Sequence, residues 1–147
     1  MHKIEELIPH SGRMSLLDEV IDYGTTYFTA SVCPTSDSMF AEQQGIPAYV
    51  GIEYMGQAIA AFAGARARDS GLPVKIGLLV SARRYQASKS FFSFGDTLTV
   101  HIEEYSEEVN GLQTFSCSIT GTDIEVNARL NVFMPEDATE FLESANG

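Results

Sequence analysis

Positive charge is scarce in this chain: nine Lys and Arg stand against twenty Asp and Glu, a formal net charge of −11. A nucleic-acid binder needs basic patches to meet phosphates, so that class of partner is not expected. Cysteine is scarcer still. Cys33 and Cys117 fall in expected strands without metal-type spacing and read as two buried free thiols. The N-terminus MHKIEELIPH lacks the apolar stretch of a secretory leader, and a cytoplasmic location is expected. The most apolar stretch is interrupted by Glu53 and filled with small residues, which argues against a membrane span. Neither a metal-ligand cluster nor a phosphate-binding glycine loop is found, so no metal and no organic cofactor is expected.

What the chain does hold is 147 residues, 44% of them hydrophobic and 20% charged, enough for one domain over 1–147 with its own core. Its organising stretch is QGIPAYVGIEYMGQAIAAFAGARARD, residues 44–69. Gly45 and Pro47 mark the start of a helix, since proline is tolerated in a first turn, and Gly71 follows its end. A helix over about 47–70 would run about 36 Å at 1.5 Å per residue. Apart from Glu53 and Gln57, nothing between Ile46 and Ala65 is strongly polar, so other protein should surround it. Gly56, Ala60 and Gly64 make a stripe that lets another backbone approach.

Glu53, placed in the second turn, admits two readings. It is either a partly hydrated acid near the positive end of the helix, or a carboxylate in an apolar site, poised as a general acid or base. Gln57 lies one turn on.

Around the helix the chain reads as strands. Alternation predicts strands over 14–23 and 27–33, joined at Gly24-Thr25. The loop TSDSMFAEQQG follows, with Met39 and Phe40 anchoring it to the core. A strand over 75–86 should be covered on both sides. SFFSFG, residues 90–95, reads as a loop whose rings close one end of a core or channel. Strands over 96–104, 112–120 and 124–134 complete the set, with Asn110-Gly111 as a type I′ hairpin, and the acidic tail holds a short helix around Phe141 and Leu142. His10 sits in a polar turn; His101 faces outward.

The expectation is an α+β fold, a curved antiparallel sheet of about six strands around one long helix, with open edges that favour a dimer. Charge is uneven along it. Arg66, Arg68, Lys75, Arg83, Arg84 and Lys89 cluster against one acid, Asp69, making a positive band suited to an anionic partner.

IPHSGRMSLLDEV and PAYVGIEYMGQAIAAFAG resemble the opening segment and central helix of the hotdog-fold β-hydroxyacyl-acyl carrier protein dehydratases. With GLLVSARRYQ, the helix string is closer still to the predicted dehydratases encoded in aryl polyene biosynthesis clusters. The resemblance runs from Ile8 to about Leu130. It implies a hotdog fold and a dehydratase forming 2-enoyl thioesters in fatty-acid-like or polyene biosynthesis.

By that resemblance Glu53 stands at the catalytic glutamate and Gln57 at the glutamine one turn on. The family histidine, in a GHFPG loop, falls at Met39, and of that motif only Phe40 survives. Pro47-Ala48 replaces the helix-opening Pro-Gly, leaving a backbone N–H at Ala48 to polarise a thioester carbonyl. Met39, Phe40, Ala48 and Gln57 thus become substrate-binding candidates, and Arg83 and Arg84 the docking cations for an acyl carrier protein or acyl-CoA thioester.

Methionine cannot move a proton. Either His10 reaches the gap, or Glu53 performs both proton transfers, or another subunit supplies an imidazole. A homodimer, or a heterodimer with a related hotdog subunit, is implied. An acyl thioesterase using Glu53, or a non-catalytic partner of a histidine-bearing dehydratase, are the alternatives.

Overall fold

One six-stranded antiparallel sheet curves around a central helix in the computed structural model, which describes residues 2–8, 15–72 and 78–133, at 78–80 by backbone alone. In chain order the elements are α1 (Ile4–Leu7), β1 (Glu19–Tyr23), β2 (Tyr27–Val32), β3 (Ile46–Pro47), α2 (Gly51–Asp69), β4 (Leu78–Ala87), β5 (Phe91–Phe92), β6 (Leu98–Glu104), β7 (Leu112–Thr120) and β8 (Glu125–Phe133). The sheet runs β1-β2-β6-β7-β8-β4, and β3 pairs with β5 in a separate ribbon. This is the hotdog arrangement.

Strict alternation builds the core. Leu98, Val100 and Ile102 of β6, Phe115, Cys117 and Ile119 of β7, and Val126, Ala128, Leu130 and Val132 of β8 are all buried. They meet Met55, Ala58, Ile59, Ala61, Phe62 and Ala65 of α2 in one apolar cluster, with Phe62 edge-on to Phe115 at 6.2 Å between centroids. Each large side chain so buried contributes about 1.5–3 kcal/mol. Asn110 and Gly111 take φ of 54° and 86°, and Val109 and Leu112 exchange backbone hydrogen bonds across them at 2.9 and 3.0 Å. The expected hairpin is realised.

Several boundaries differ from the sequence reading. The α-helix starts at Gly51, has 19 residues and is about 28 Å long at 1.5 Å per residue. Pro47 is not in its first turn but in β3, opposite Phe91, while Ala48–Val50 form a 3₁₀ turn. Burial of Ile46 against Phe92 draws this segment into the ribbon, where a proline without an N–H is tolerated. Glu53 is therefore in the first turn. SFFSFG is likewise not all loop, since Phe91 and Phe92 form β5. Strand β1 begins at Glu19, not at 14.

Covering of the helix is incomplete. Ile52, Glu53, Gly56, Ala60 and Ala63 are half-exposed along one side. A Cβ at Gly56 would meet nothing within 4 Å, whereas at Gly64 it would strike the backbone of Leu7, so the small-residue stripe admits a second backbone at one end only.

Cys33 is exposed, contrary to expectation, because it lies just beyond the end of β2; Cys117 is buried. Phe40 does not anchor its loop: it is 46% exposed, with φ 70°. Lys75 and the expected tail helix lie outside the described residues. No helix among the described residues is long and apolar enough to cross a membrane.

Candidate active site

Gln57 lies four positions after Glu53, one helical turn, so both side chains project from the same side of α2 near its N-terminus. Gln57 is 1% exposed. Its Oε1 accepts the backbone N–H of Leu16 at 2.9 Å, and this fixes which way the amide faces. Nε2 is thereby turned to Glu53, donating to Oε1 at 3.3 Å. A buried amide, itself anchored to a strand-leading segment, thus holds a half-buried carboxylate.

Leu16, the residue that anchors Gln57, also lines a cleft of about 140 Å³ whose wall includes Asp18, Cys33, Ser38, Met39 and Tyr54. The loop carrying Met39 and the first turn of α2, through Tyr54, therefore share this wall. Tyr54 is 2% exposed and packs on Phe92 at 5.6 Å. Burial, then the neighbouring Asp18 and Tyr85, push its phenol well above the ordinary tyrosine range, so it stays protonated and can act as a hydrogen-bond donor.

Tyr85 packs at the start of α2, beside Gly51. Its hydroxyl donates to the carbonyl of Ala48, and burial pushes its pKa up to about 12. It reaches inward because β4 slips register between Arg83 and Gln86, with Arg84 at φ 55°. In an unbroken strand Tyr85 would share the face of Arg83; the bulge turns it to the core.

The Ala48 N–H donates to the carbonyl of Ser90 at 2.8 Å, which corrects the expectation that it points at a bound carbonyl: the approach of β5 to β3 engages it first. Arg83 and Arg84 are exposed on edge strand β4. The rest of the positive band is divided: Arg66 binds the Thr25 carbonyl and Glu104 at 2.6 and 2.7 Å, and Arg68 binds the Glu6 carbonyl at 2.6 Å.

His10 lies outside the described residues. Of the other histidines, His2 pairs with Asp69 at 2.7 Å, about 24 Å along the helix from Glu53 at 1.5 Å per residue. His101 bonds Thr29 at 2.7 Å on the outer face of β6. Neither serves Glu53. Among the described residues no group of three His, Cys, Asp or Glu could hold a metal ion.

Tyr54 and Tyr85 were missed by the sequence reading. For Tyr54 the available signal was a polar aromatic directly after Glu53, ahead of a run of small and aliphatic residues.

The fold is shared with solved structures. A chain of the dehydratase heterocomplex ApeI:P from Xenorhabdus doucetiae is 24% identical, with a TM-score of 0.89 over 100% of this chain and 99% of that one. The E. coli PaaI protein of the phenylacetic acid degradation operon is 13% identical, with a TM-score of 0.61 over 78% and 80%. A hypothetical thioesterase with coenzyme A from Streptococcus pneumoniae TIGR4 is 11% identical, with a TM-score of 0.61 over 79% and 84%. Comparison with curated proteins finds no match. The ApeP-like family model, described as ApeP dehydratase, matches residues 2–143, nearly the whole length. With the hotdog fold, the Glu53–Gln57 pair and that match together, the chain belongs to the ApeP-like dehydratase family.

Proposed function

We propose that the chain is a subunit of a 3-hydroxyacyl thioester dehydratase, forming 2-enoyl thioesters in fatty-acid-like or polyene biosynthesis, with Glu53 as one of its two proton-transfer groups. The observation that carries this is the Glu53 carboxylate, held by Gln57 on the half-open side of α2. In the elimination a base takes the proton on Cα, the electron pair of that C–H bond becomes the new double bond, the Cβ–O bond breaks, and the departing oxygen takes a proton and leaves as water. Two groups divide these tasks. Glu53 is one; a related hotdog subunit bearing a histidine supplies the other, across the uncovered side of α2.

Support for such pairing comes from the structurally similar ApeI:P, which is described as a dehydratase heterocomplex. An acidic acyl carrier protein, or the phosphates of a coenzyme A thioester, would meet Arg83 and Arg84, exposed cations on an otherwise acidic molecule.

The test is incubation of the chain, alone and with such a subunit, with a 3-hydroxyacyl carrier thioester. The pair is expected to form the 2-enoyl product, and Glu53→Gln to lower the rate by about 10²–10⁴-fold. A Glu53→Gln pair as fast as wild type removes the assignment. Activity of the chain alone that disappears in His10→Ala gives the second role to His10, and thiol release without enoyl product replaces dehydration by hydrolysis.

A further inference from the structure

Among the described residues, no side-chain hydrogen bond caps the start of the central helix. Pro47 heads the 3₁₀ turn Ala48–Val50 and Val50 heads α2, and neither offers one. Helix ends fray where their terminal groups lack such partners, yet Glu53 sits in this first turn. What holds the turn comes from elsewhere in the fold. The Ala48 N–H is taken by the carbonyl of Ser90 at 2.8 Å, and the Ala48 carbonyl by the Tyr85 hydroxyl. That carbonyl already accepts the N–H of Gly51, so the phenol is not needed to satisfy it.

Bringing the phenol there constrains two other residues. Arg83 stands opposite Arg129 and Gln86 opposite Asn127, so Arg84 and Tyr85 together face Ala128 alone. This bulge leaves Arg84 at φ 55°, a left-handed conformation that a residue other than glycine adopts only at a cost in free energy. Position 51 is held to glycine as well, because a Cβ there would strike the Tyr85 hydroxyl. Neither feature extends the sheet. Both serve to set one hydroxyl on the turn that carries Glu53, and backbone strain of this kind is kept where a functional group must be held in place.

We propose that Tyr85 is a positioning residue for the Glu53 carboxylate: its hydroxyl pins the uncapped start of α2, and the bulge at Arg84 aims it there. This rests on the dehydratase reading and adds to it a residue of the edge strand β4 through which the placement of the acid is set. Glu53 is thus fixed at two points. Tyr85 acts through the backbone of its turn, and Gln57 acts on the carboxylate itself.

The test gives the dehydratase pair a 3-hydroxyacyl pantetheine thioester, which carries neither an acidic protein nor a phosphate for Arg84 to dock. Tyr85→Phe is expected to lower kcat by about 10- to 100-fold, since misplacing a reacting group by about 1 Å can cost about 10²-fold, and to leave KM within about 2-fold. Amide hydrogen exchange at 51–54 is expected to quicken about tenfold in the same variant, and that of β7 is not. Arg84→Gly and Arg84→Val both remove the cation, but only glycine accepts φ 55° freely, so the valine variant is expected to be several-fold slower than the glycine one. A Tyr85→Phe pair with wild-type kcat, or one whose loss is only a raised KM or unfolded protein, overturns the proposal, as do glycine and valine variants of equal rate. A wild-type pair that forms no enoyl product overturns the dehydratase reading and this assignment together, whereas an active pair indifferent to Tyr85→Phe overturns this assignment alone.

Discussion

The side-chain carbonyl of Gln57 accepts the backbone N–H of Leu16 at 2.9 Å, across 41 residues of chain. This bond fastens the segment leading into β1 to the central helix, and it sets the direction in which the amide N–H₂ meets Glu53.

Removing that amide should therefore be felt twice. Gln57→Leu leaves the Leu16 N–H without its acceptor, at a cost of about 1–3 kcal/mol, to be read from urea unfolding. Gln57→Glu keeps an acceptor but sets a second carboxylate beside Glu53, and is expected to lose more dehydration activity than Gln57→Leu. Equal stability of wild type and Gln57→Leu would show that the bond is not made in solution.

Gly51 is pressed by the Tyr85 hydroxyl, with Ile119 and Phe92 at 3.0 and 3.3 Å from where a Cβ would stand. Gly51→Ala should destabilise by about 1–3 kcal/mol, the usual range for overpacking. Because Tyr85→Phe removes the nearest obstacle, the double variant should lose less than the sum of the two single changes. Strict additivity in a thermal unfolding cycle would contradict the packing described.

The two thiols should behave as different species. Cys33 is exposed and Cys117 buried, and burial pushes the Cys117 thiol up to about 12. A disulfide reagent at neutral pH is expected to modify Cys33 quickly and Cys117 only after denaturant is added. Two equally fast reactions in the native protein would place Cys117 outside the core.

Alkali should weaken the fold through its buried phenols. Burial raises Tyr85 from 10.0 to about 12 and raises Tyr54 as well. For a raised folded-state pKa, the contribution is complete below the unfolded value and is lost as pH climbs through the folded one, here between 10 and about 12 for Tyr85. Tyr85→Phe should shift the alkaline unfolding midpoint upward. A tyrosine absorbance titration of the native protein in which all six phenols ionise together near pH 10 would rule this out.

Acid acts at the opposite end of the helix. His2 and then Tyr23 hold the Asp69 carboxyl below its ordinary value of 3.8. Its contribution is present above that value and fades as pH falls through the lower folded one. Asp69→Asn should therefore lower stability slightly at neutral pH, change nothing at the acid extreme, and so flatten the acid side of the profile, as read by urea unfolding across that pH range.

The sequence by itself determined the periodic parts. Alternation in β6, β7 and β8 named the inward residues correctly, Asn110-Gly111 named its turn, and the four-residue spacing of Glu53 and Gln57 put a carboxylate and its amide on one side of a helix. These are short-range matters, settled by backbone geometry and by which face is apolar. Only the tertiary structure decided what each end and edge would meet. The start of α2 moved to Gly51 because β5 arrives beside Ile46 and engages the Ala48 N–H. Tyr85 turned inward because a bulge at Arg84 rephased β4, and Tyr54 came to line a cleft that segments distant in the chain assemble. Partners in such contacts are far apart along the polypeptide, so no local pattern records them; they are fixed only when the sheet closes around the helix.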